Sequence, residues 1–590
     1  MKVKLICDSF FYTEYKMTSI INLPGDIWDD VCTYLFTNDI KQILKSHSDI
    51  NTMLRLSVRS LKDSRPGAYY GSYGNRNRDN RHASYEKITS WFVQFSDLRH
   101  LTINMPAQLT WREMHTFLGK ISELPLQSLN VSNWKIKEID NPARLDALNV
   151  LRSMKLQYIN FPTLQDSIGD KIEYYPASLT TLKYGTLAKL PDFNILPNLK
   201  TLEFSYYEDG IIKRLPDTII DLTVYLYRRP QPEAILDNLP QKLQRLNFSN
   251  RNYFREDQLK YDSVTKLPST LTYLRILQHS MDTSGLPRGL KTLDAPSLSL
   301  SMDDIDHLPR ALEGLTVKEI PLVGTVEALL RLPRTLRELE CMYWFDNATD
   351  SDIVFEENGQ YYSAFPPQLE SAYITRDMSG DSIRSILSLP LKTLSLEHGA
   401  NIAVFPNTLT YLEMYADSNC DMEALPETLK YLYLTRTSFS RGNFSTLPRN
   451  LETLYLRDVT TDNEIIGNTG YISFMERLIN DLPRYLKMLH IYNIVINGRI
   501  LTFPYEVIPY LPPYLNDLSI MGFQEGISDP YLKSLFSVEV TRRNMRSQSD
   551  LLMEFPKTLE KLDITPTPEI PLQLYPNLVS FNGNALLLQC

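Results

Sequence analysis

The chain has 590 residues, a formal net charge of −9, 43% hydrophobic and 22% charged residues. An acidic balance argues against general nucleic-acid or anionic-membrane binding, and no apolar run approaches the roughly 20 residues that span a bilayer. Proline in excess of glycine (36 against 22) excludes a Gly-rich or collagen-like chain.

The five cysteines, Cys7, Cys32, Cys341, Cys420 and Cys590, are odd in number and scattered, with no C-x-x-C pair. Neither a disulfide framework nor a zinc site is expected. Residues 1–19 form a lead in which Asp8 and Glu14 interrupt a short apolar patch, so it does not read as a signal peptide. The expected location is cytoplasmic, nuclear or both.

Residues 20–61 show helical spacing. Leu23-Pro24 opens the segment, and Ile27, Val31 and Leu35 follow on one helix face. Pro24 and Asp26 suit a first turn, where a missing N–H costs nothing and negative charge meets the helix dipole. Thr37, Asn38 and Asp39 offer a break and a new N-cap. Ile40, Ile43 and Leu44 then mark a second face, and Ile50, Leu54 and Val58 a third. This order of L-P-x-x-I-x-x-x-V-x-x-x-L, a break with Asp, then I-x-x-I-L resembles an F-box. The resemblance implies a small all-α module that docks on the Skp-type adaptor of a cullin–RING ubiquitin ligase. Carried over by position, Leu23, Pro24, Ile27, Val31, Leu35, Ile40 and Leu44 form or support the docking surface. The later Val-Cys-Arg…Trp stretch of that family is not recognisable here. These helices alternatively serve only as a cap on the array that follows, since terminal repeats need a polar outer cover.

Residues 62–88 contain a Gly-, Asn- and Arg-rich stretch, SRPGAYYGSYGNRNRDNRHASYE. Apolar periodicity stops there, and the segment reads as a flexible linker or loop.

From residue 89 to 590, and most clearly over 176–590, one phrase recurs: apolar-Pro-x-x-Leu-x-x-Leu-x-apolar. LPSTLTYLRI, FPNTLTYLEM, LPETLKYLYL, LPRNLETLYL and LPRYLKMLHI are examples. Seventeen anchoring prolines, from Pro176 to Pro576, lie 25 residues apart on average. A period in the twenties means a solenoid of stacked coils. Alternating leucines of a short strand point into the coil and the intervening residues point out. Proline fixes φ and donates no N–H, which places it in a turn or extended segment on the far side of each coil.

The L-x-x-L-x-L core resembles the leucine-rich-repeat family. The resemblance implies an α/β solenoid, a horseshoe of short parallel strands with extended or 3-10 convex segments. Where the family carries a repeat Asn after the strand, this chain holds Arg251, His279, Thr437, Val459 and Ile494.

Strand register names a recognition surface. The outward positions of the later repeats hold Tyr373, Tyr411, Glu413, Tyr415, Tyr431, Tyr433, Arg436, Tyr455, Arg457, His490 and Tyr492. Tyrosine and arginine are frequent binding anchors, although tyrosine also favours strands for its own sake. Early repeats present Lys183, Glu203, Asn247, Arg275 and Asp294 instead. Insertions at 344–365, 459–482 and 521–555 are candidate rim loops.

No catalytic, metal or cofactor constellation is present: there is no Walker A loop, G-x-S-x-G or H-E-x-x-H. Cys341 occupies a strand leucine position and reads as buried filler. The expected function is non-enzymatic. The chain would recruit a protein substrate to a Skp-type adaptor and, through it, a cullin. A leucine-rich-repeat scaffold without ubiquitin function is the alternative.

Overall fold

The structure, a computed structural model, describes residues 60–63, the repeat coils between 96 and 565 except for several loops, and short strands at 580–581 and 584–585. The expected adaptor-docking residues, Leu23 to Leu44, lie outside the described residues. Two compact units divide the chain, residues 1–276 and 277–590. Among the described residues no helix is long and apolar enough to cross a membrane.

Both units repeat one coil, and its phrase explains the geometry. In fourteen coils among the described residues the proline carbonyl accepts the N–H of the residue three on, a leucine in all but Ile219, as from Leu429 to Pro426 and from Leu486 to Pro483, both at 3.0 Å. Pro-x-x-Leu is thus a β-turn, and the strand starts just beyond it: Pro483 precedes the strand Met488–Tyr492. The proline therefore sits at the turn leading into the strand, not on the far side of the coil as its chemistry alone suggested. Its carbonyl is used while its missing N–H leaves no orphan donor.

Coils are joined by backbone bonds that the phrase repeats. The two residues after the turn leucine both donate to one carbonyl of the preceding coil, as Lys430 and Tyr431 do to Thr410 at 2.9 and 3.1 Å. A threonine two residues after the proline adds a side-chain bond. Thr428 Oγ1 reaches the carbonyls of Asn407 and Leu409 at 2.9 and 2.8 Å, and Thr335 and Thr270 make equivalent pairs of bonds.

Among the described residues the main sheet of the first unit has nine parallel strands, Ser60–Asp63, His100–Ile103, Ser128–Asn130, Tyr158–Asn160, Thr181–Leu187, Thr201–Tyr206, Asp221–Leu226, Arg245–Asn250 and Tyr273–Arg275. Its sheet starts earlier than the phrase is legible, because Ser60–Asp63 pairs in full register with His100–Ile103. The return segments include the expected 3-10 turns, at Ile172–Tyr174 and Phe193–Ile195, but two coils differ. Trp111–Ile121 and Asn141–Ser153 are full α-helices. Leu101, Leu129 and Ile159, aligned in the sheet, are 28 and 30 residues apart, which leaves room for helices of 11 and 13 residues. Thr110 and Glu113 close a capping box on the first helix, which buries Trp111, Met114, Phe117, Leu118 and Ile121.

The second unit contains the strands Thr292–Ser299, Gly314–Glu319, Glu338–Tyr343, Ser371–Ile374, Thr393–Leu396, Tyr411–Tyr415, Tyr431–Thr435, Thr453–Arg457, Met488–Tyr492, Asp517–Met521, Lys561–Thr565 and Ser580–Phe581, again parallel. Here Leu394, Leu412, Leu432 and Leu454 are only 18 to 22 residues apart. The return segments shorten accordingly to a 3-10 turn at Met422–Ala424 and a second, narrow ladder through Asn401–Ile402, Asn419–Asp421, Ser438–Arg441, Thr460–Thr461 and Val495–Ile496. Part of the 344–365 insertion is an antiparallel hairpin of Val354–Glu357 with Gln360–Ser363. This coil, with its inward leucines and parallel strand face, has the leucine-rich-repeat form.

The core is a column of leucines. Leu412, Leu432, Leu454, Leu489 and Leu518 are fully buried and stand in register on successive strands. Cys341 is buried between Val317 and Ile374, its thiol donating to the Lys318 carbonyl at 3.7 Å, which fits its reading as filler. Thr437 and Val459, at the family's Asn position, are buried too. Truncating Leu432 to Ala is expected to cost about 2–5 kcal/mol, as for a buried leucine whose cavity cannot collapse. Thr428→Val, which removes only the hydroxyl link between coils, is expected to cost about 1 kcal/mol. Urea denaturation of both variants checks the ranking.

Candidate functional site

The strand face of the second unit carries the residues expected to form a recognition surface. In Tyr411–Tyr415 the side chains alternate half-buried and buried, so Tyr411, Glu413 and Tyr415 stand outward while Leu412 and Met414 fill the core. The same alternation sends Tyr433, Tyr455, His490 and Tyr492 outward.

In-register pairing then does what no single strand can: it puts rings from four coils side by side. Tyr411 lies 6.2 Å from Tyr431 and 5.4 Å from Tyr433, centroid to centroid. Tyr433 lies 5.7 Å from Tyr455, which in turn lies 5.8 Å from His490 and 5.6 Å from Tyr492. The rings are tilted by 31–58° from one to the next, within the range favoured by aromatic quadrupoles.

Two polar groups anchor the ends of this row. At one end the Glu413 carboxylate accepts from the Tyr411 hydroxyl at 3.2 Å, the Ser395 hydroxyl at 3.3 Å and the Tyr415 hydroxyl. At the other, His490 Nε2 meets Asp517 Oδ1 at 2.9 Å, and the Tyr492 hydroxyl donates to Ser519 Oγ at 2.7 Å. Burial, then the neighbouring Glu413 charge and its hydrogen bond, hold the Tyr411 phenol far above the ordinary tyrosine range. Burial and the charge of Glu413 also raise Tyr433. These phenols are neutral donors at physiological pH.

The remaining expected residues stand apart from the row. Tyr373 precedes Glu413 by two coils, with Ser395 between them. Arg457 is exposed and pairs with Asp458 at 3.6 Å. Arg436 lies just beyond its strand with φ of 53°, and Asp458 repeats that left-handed conformation one coil later at 51°. Their N–H groups donate to the carbonyls of Arg457 and Tyr492, so the chain turns the same corner in both coils.

Sequence reasoning passed over Ser395, Asp517 and Ser519, which bond directly to the predicted residues. Their signal was present: each occupies an outward position of the same alternation. It also passed over an ion-pair ladder at the leading edge of the strands. Lys291 pairs with Glu313 at 2.9 Å; Arg337 and Lys392 flank Glu370 at 3.3 and 2.7 Å; Lys430 and Lys487 flank Glu452 at 3.9 and 2.5 Å. Such exposed pairs contribute little stability each, but they match opposite charges from coil to coil. In the first unit Lys183 pairs with Glu203 at 2.7 Å, and the Arg245 guanidinium lies 4.1 Å over the Tyr273 ring. Among the described residues no group of three or more His, Cys, Asp or Glu could hold a metal ion.

The raised phenols set a pH dependence. Tyr411 and Tyr433 bind their protons more tightly in the folded chain than in the unfolded one. Their contribution to stability is therefore complete below the ordinary tyrosine value of ~10 and is lost as pH rises through the folded values. Denaturant midpoints taken at pH 8.5 and 10.5 are expected to fall for the native chain and to fall less for Tyr411→Phe.

No protein-family model matches the chain, and no curated protein matches it. Among solved structures the chain is similar to CroV588, a circular leucine-rich-repeat protein, at 17% identity with a TM-score of 0.34; the match covers 82% of this chain and 63% of that one. It is similar to the internalin InlF of Listeria monocytogenes at 16% identity and a TM-score of 0.32, over 61% of this chain and 85% of that one. It is also similar to the plant peptide hormone receptor RGFR1, solved in complex with RGF2, at 14% identity and a TM-score of 0.30, over 83% of this chain and 86% of that one.

Proposed function

We propose that the chain recruits a protein substrate to a Skp–cullin–F-box ubiquitin ligase and has no catalytic step of its own. Residues 20–61 dock on the Skp-type adaptor, and the strand face of the second unit captures the target inside the cell. The observation that carries the capture role is the outward row Tyr411, Tyr433, Tyr455, His490 and Tyr492, built from four successive coils. Rigid aromatic side chains held in order before binding lose little entropy on contact. The docking role rests on the F-box-like order of Leu23, Pro24, Ile27, Val31, Leu35, Ile40 and Leu44, which lies N-terminal to the array.

A scaffold without ubiquitin function is the second reading, and one observation favours it. The strand Ser60–Asp63 joins the sheet at the end of the F-box-like segment, which is where a solenoid places its cap. The readings separate by experiment. Under recruitment, the chain co-purifies with a Skp-type adaptor, and Leu23→Asp with Ile27→Asp abolishes this while the thermal unfolding of the array is unchanged. Under the cap reading no adaptor is captured, and removal of residues 1–59 lowers the unfolding temperature.

A further inference from the structure

The strand face of the second unit has a charge pattern of its own. Each strand offers two central outward positions, and in-register pairing aligns them into two columns over ten strands, from Thr292–Ser299 to Asp517–Met521. These positions hold Asp294, Glu338, Glu340, Glu413 and Asp517, one histidine and no lysine or arginine. The next strand adds Lys561 and Asp563. Cations lie to either side of these positions: Lys291, Arg337, Lys392, Lys430 and Lys487 at the leading edge pair with Glu313, Glu370 and Glu452, and Lys318 and Arg457 stand at the next outward position, Arg457 beside Asp458 at 3.6 Å.

Glu413 is the focus. Its carboxylate is held by three hydroxyls, and among the described residues no ion pair to it is formed. Hydroxyl donors orient the charge without cancelling it. Beside it stand the rings of Tyr411 and Tyr433, with Tyr455 one coil further on; their electron-rich faces attract cations. The first unit differs at its central positions: Lys183 and Arg275 stand there, with Lys183 spent on Glu203.

We infer that this face takes a basic protein segment, with an arginine or lysine head group seated on the Tyr433 and Tyr455 rings and drawn toward Glu413. The inference rests on the reading of this face as the capture surface and specifies the chemistry of what is captured. Arginine suits it best, because a planar guanidinium can stack on a tyrosine ring while donating to a carboxylate. A nucleic acid or an acidic peptide would meet five carboxylates instead.

The test uses the full-length chain and a fluorescein-labelled peptide of four arginines alternating with glycine, with the glutamate peptide of the same length as its counterpart. Fluorescence anisotropy is expected to show binding of the arginine peptide alone. Tyr433→Leu with Tyr455→Leu should weaken it about 10-fold or more, as loss of two cation–π contacts requires. Glu413→Gln should weaken it several-fold, whereas Glu427→Gln, the same charge change on an exposed turn, should not. Tyr433→Phe keeps the ring and should keep binding, which separates loss of the contact from loss of the fold. Arginine-peptide binding that survives the double substitution, equal loss with Glu427→Gln, equal binding of the glutamate peptide, or no binding at all overturns the assignment. Adaptor capture is scored separately: Leu23→Asp with Ile27→Asp should leave peptide binding intact, so the two proposals fail independently.

Discussion

No coil of this chain can bury its own leucines. A strand of five residues has an inner face that is covered only when the next coil stacks on it, so Leu412, Leu432, Leu454 and Leu489 form one column rather than four small cores. Everything else follows from keeping that column in register. The Pro-x-x-Leu turn aims each leucine, the paired backbone donors lock it to the coil before, and the threonine hydroxyl adds a second tie. Stability is then a sum of neighbour terms, which is why one truncated leucine weakens an interface between coils and not a single globule.

The same register builds the candidate site at no further structural cost. Because the side-chain period of a strand is two, fixing the leucines inward fixes the intervening residues outward. In-register pairing then carries tyrosines from different coils to within 5.4–6.2 Å of one another. The two ends of the row are held by hydrogen bonds that cross coils, Ser395 to Glu413 and His490 to Asp517. The aromatic face is thus ordered before any partner arrives, a condition that favours binding.

Charge is sorted by position along the strand. At the leading edge, Glu370 and Glu452 each pair with cations of two other coils. At the central positions of the second unit, carboxylates stand among phenols, and burial holds the Tyr411 phenol in its neutral form as a donor. One sheet therefore presents an ion-paired edge and an acidic aromatic centre.

Much of this was legible in the sequence because a periodic phrase states its own fold. The phrase determined the leucines of the core, the outward residues from Tyr411 to Tyr492 and the buried place of Cys341. It did not determine where the proline lies in the coil. Proline's fixed φ is compatible with many turns, and only the bond from the leucine three residues on selects one. Nor did it determine the convex side: Trp111–Ile121 and Asn141–Ser153 became helices because their coils are long enough to hold them. Contacts between coils were the least legible of all. Thr428 to Leu409 or Lys487 to Glu452 joins residues 19 and 35 apart, and those separations have meaning only once stacking sets the register. The sequence by itself determined which face of each strand is core and which is surface, through a period of two. The tertiary structure alone decided which surface residues meet, since that depends on the unequal lengths of chain between successive strands.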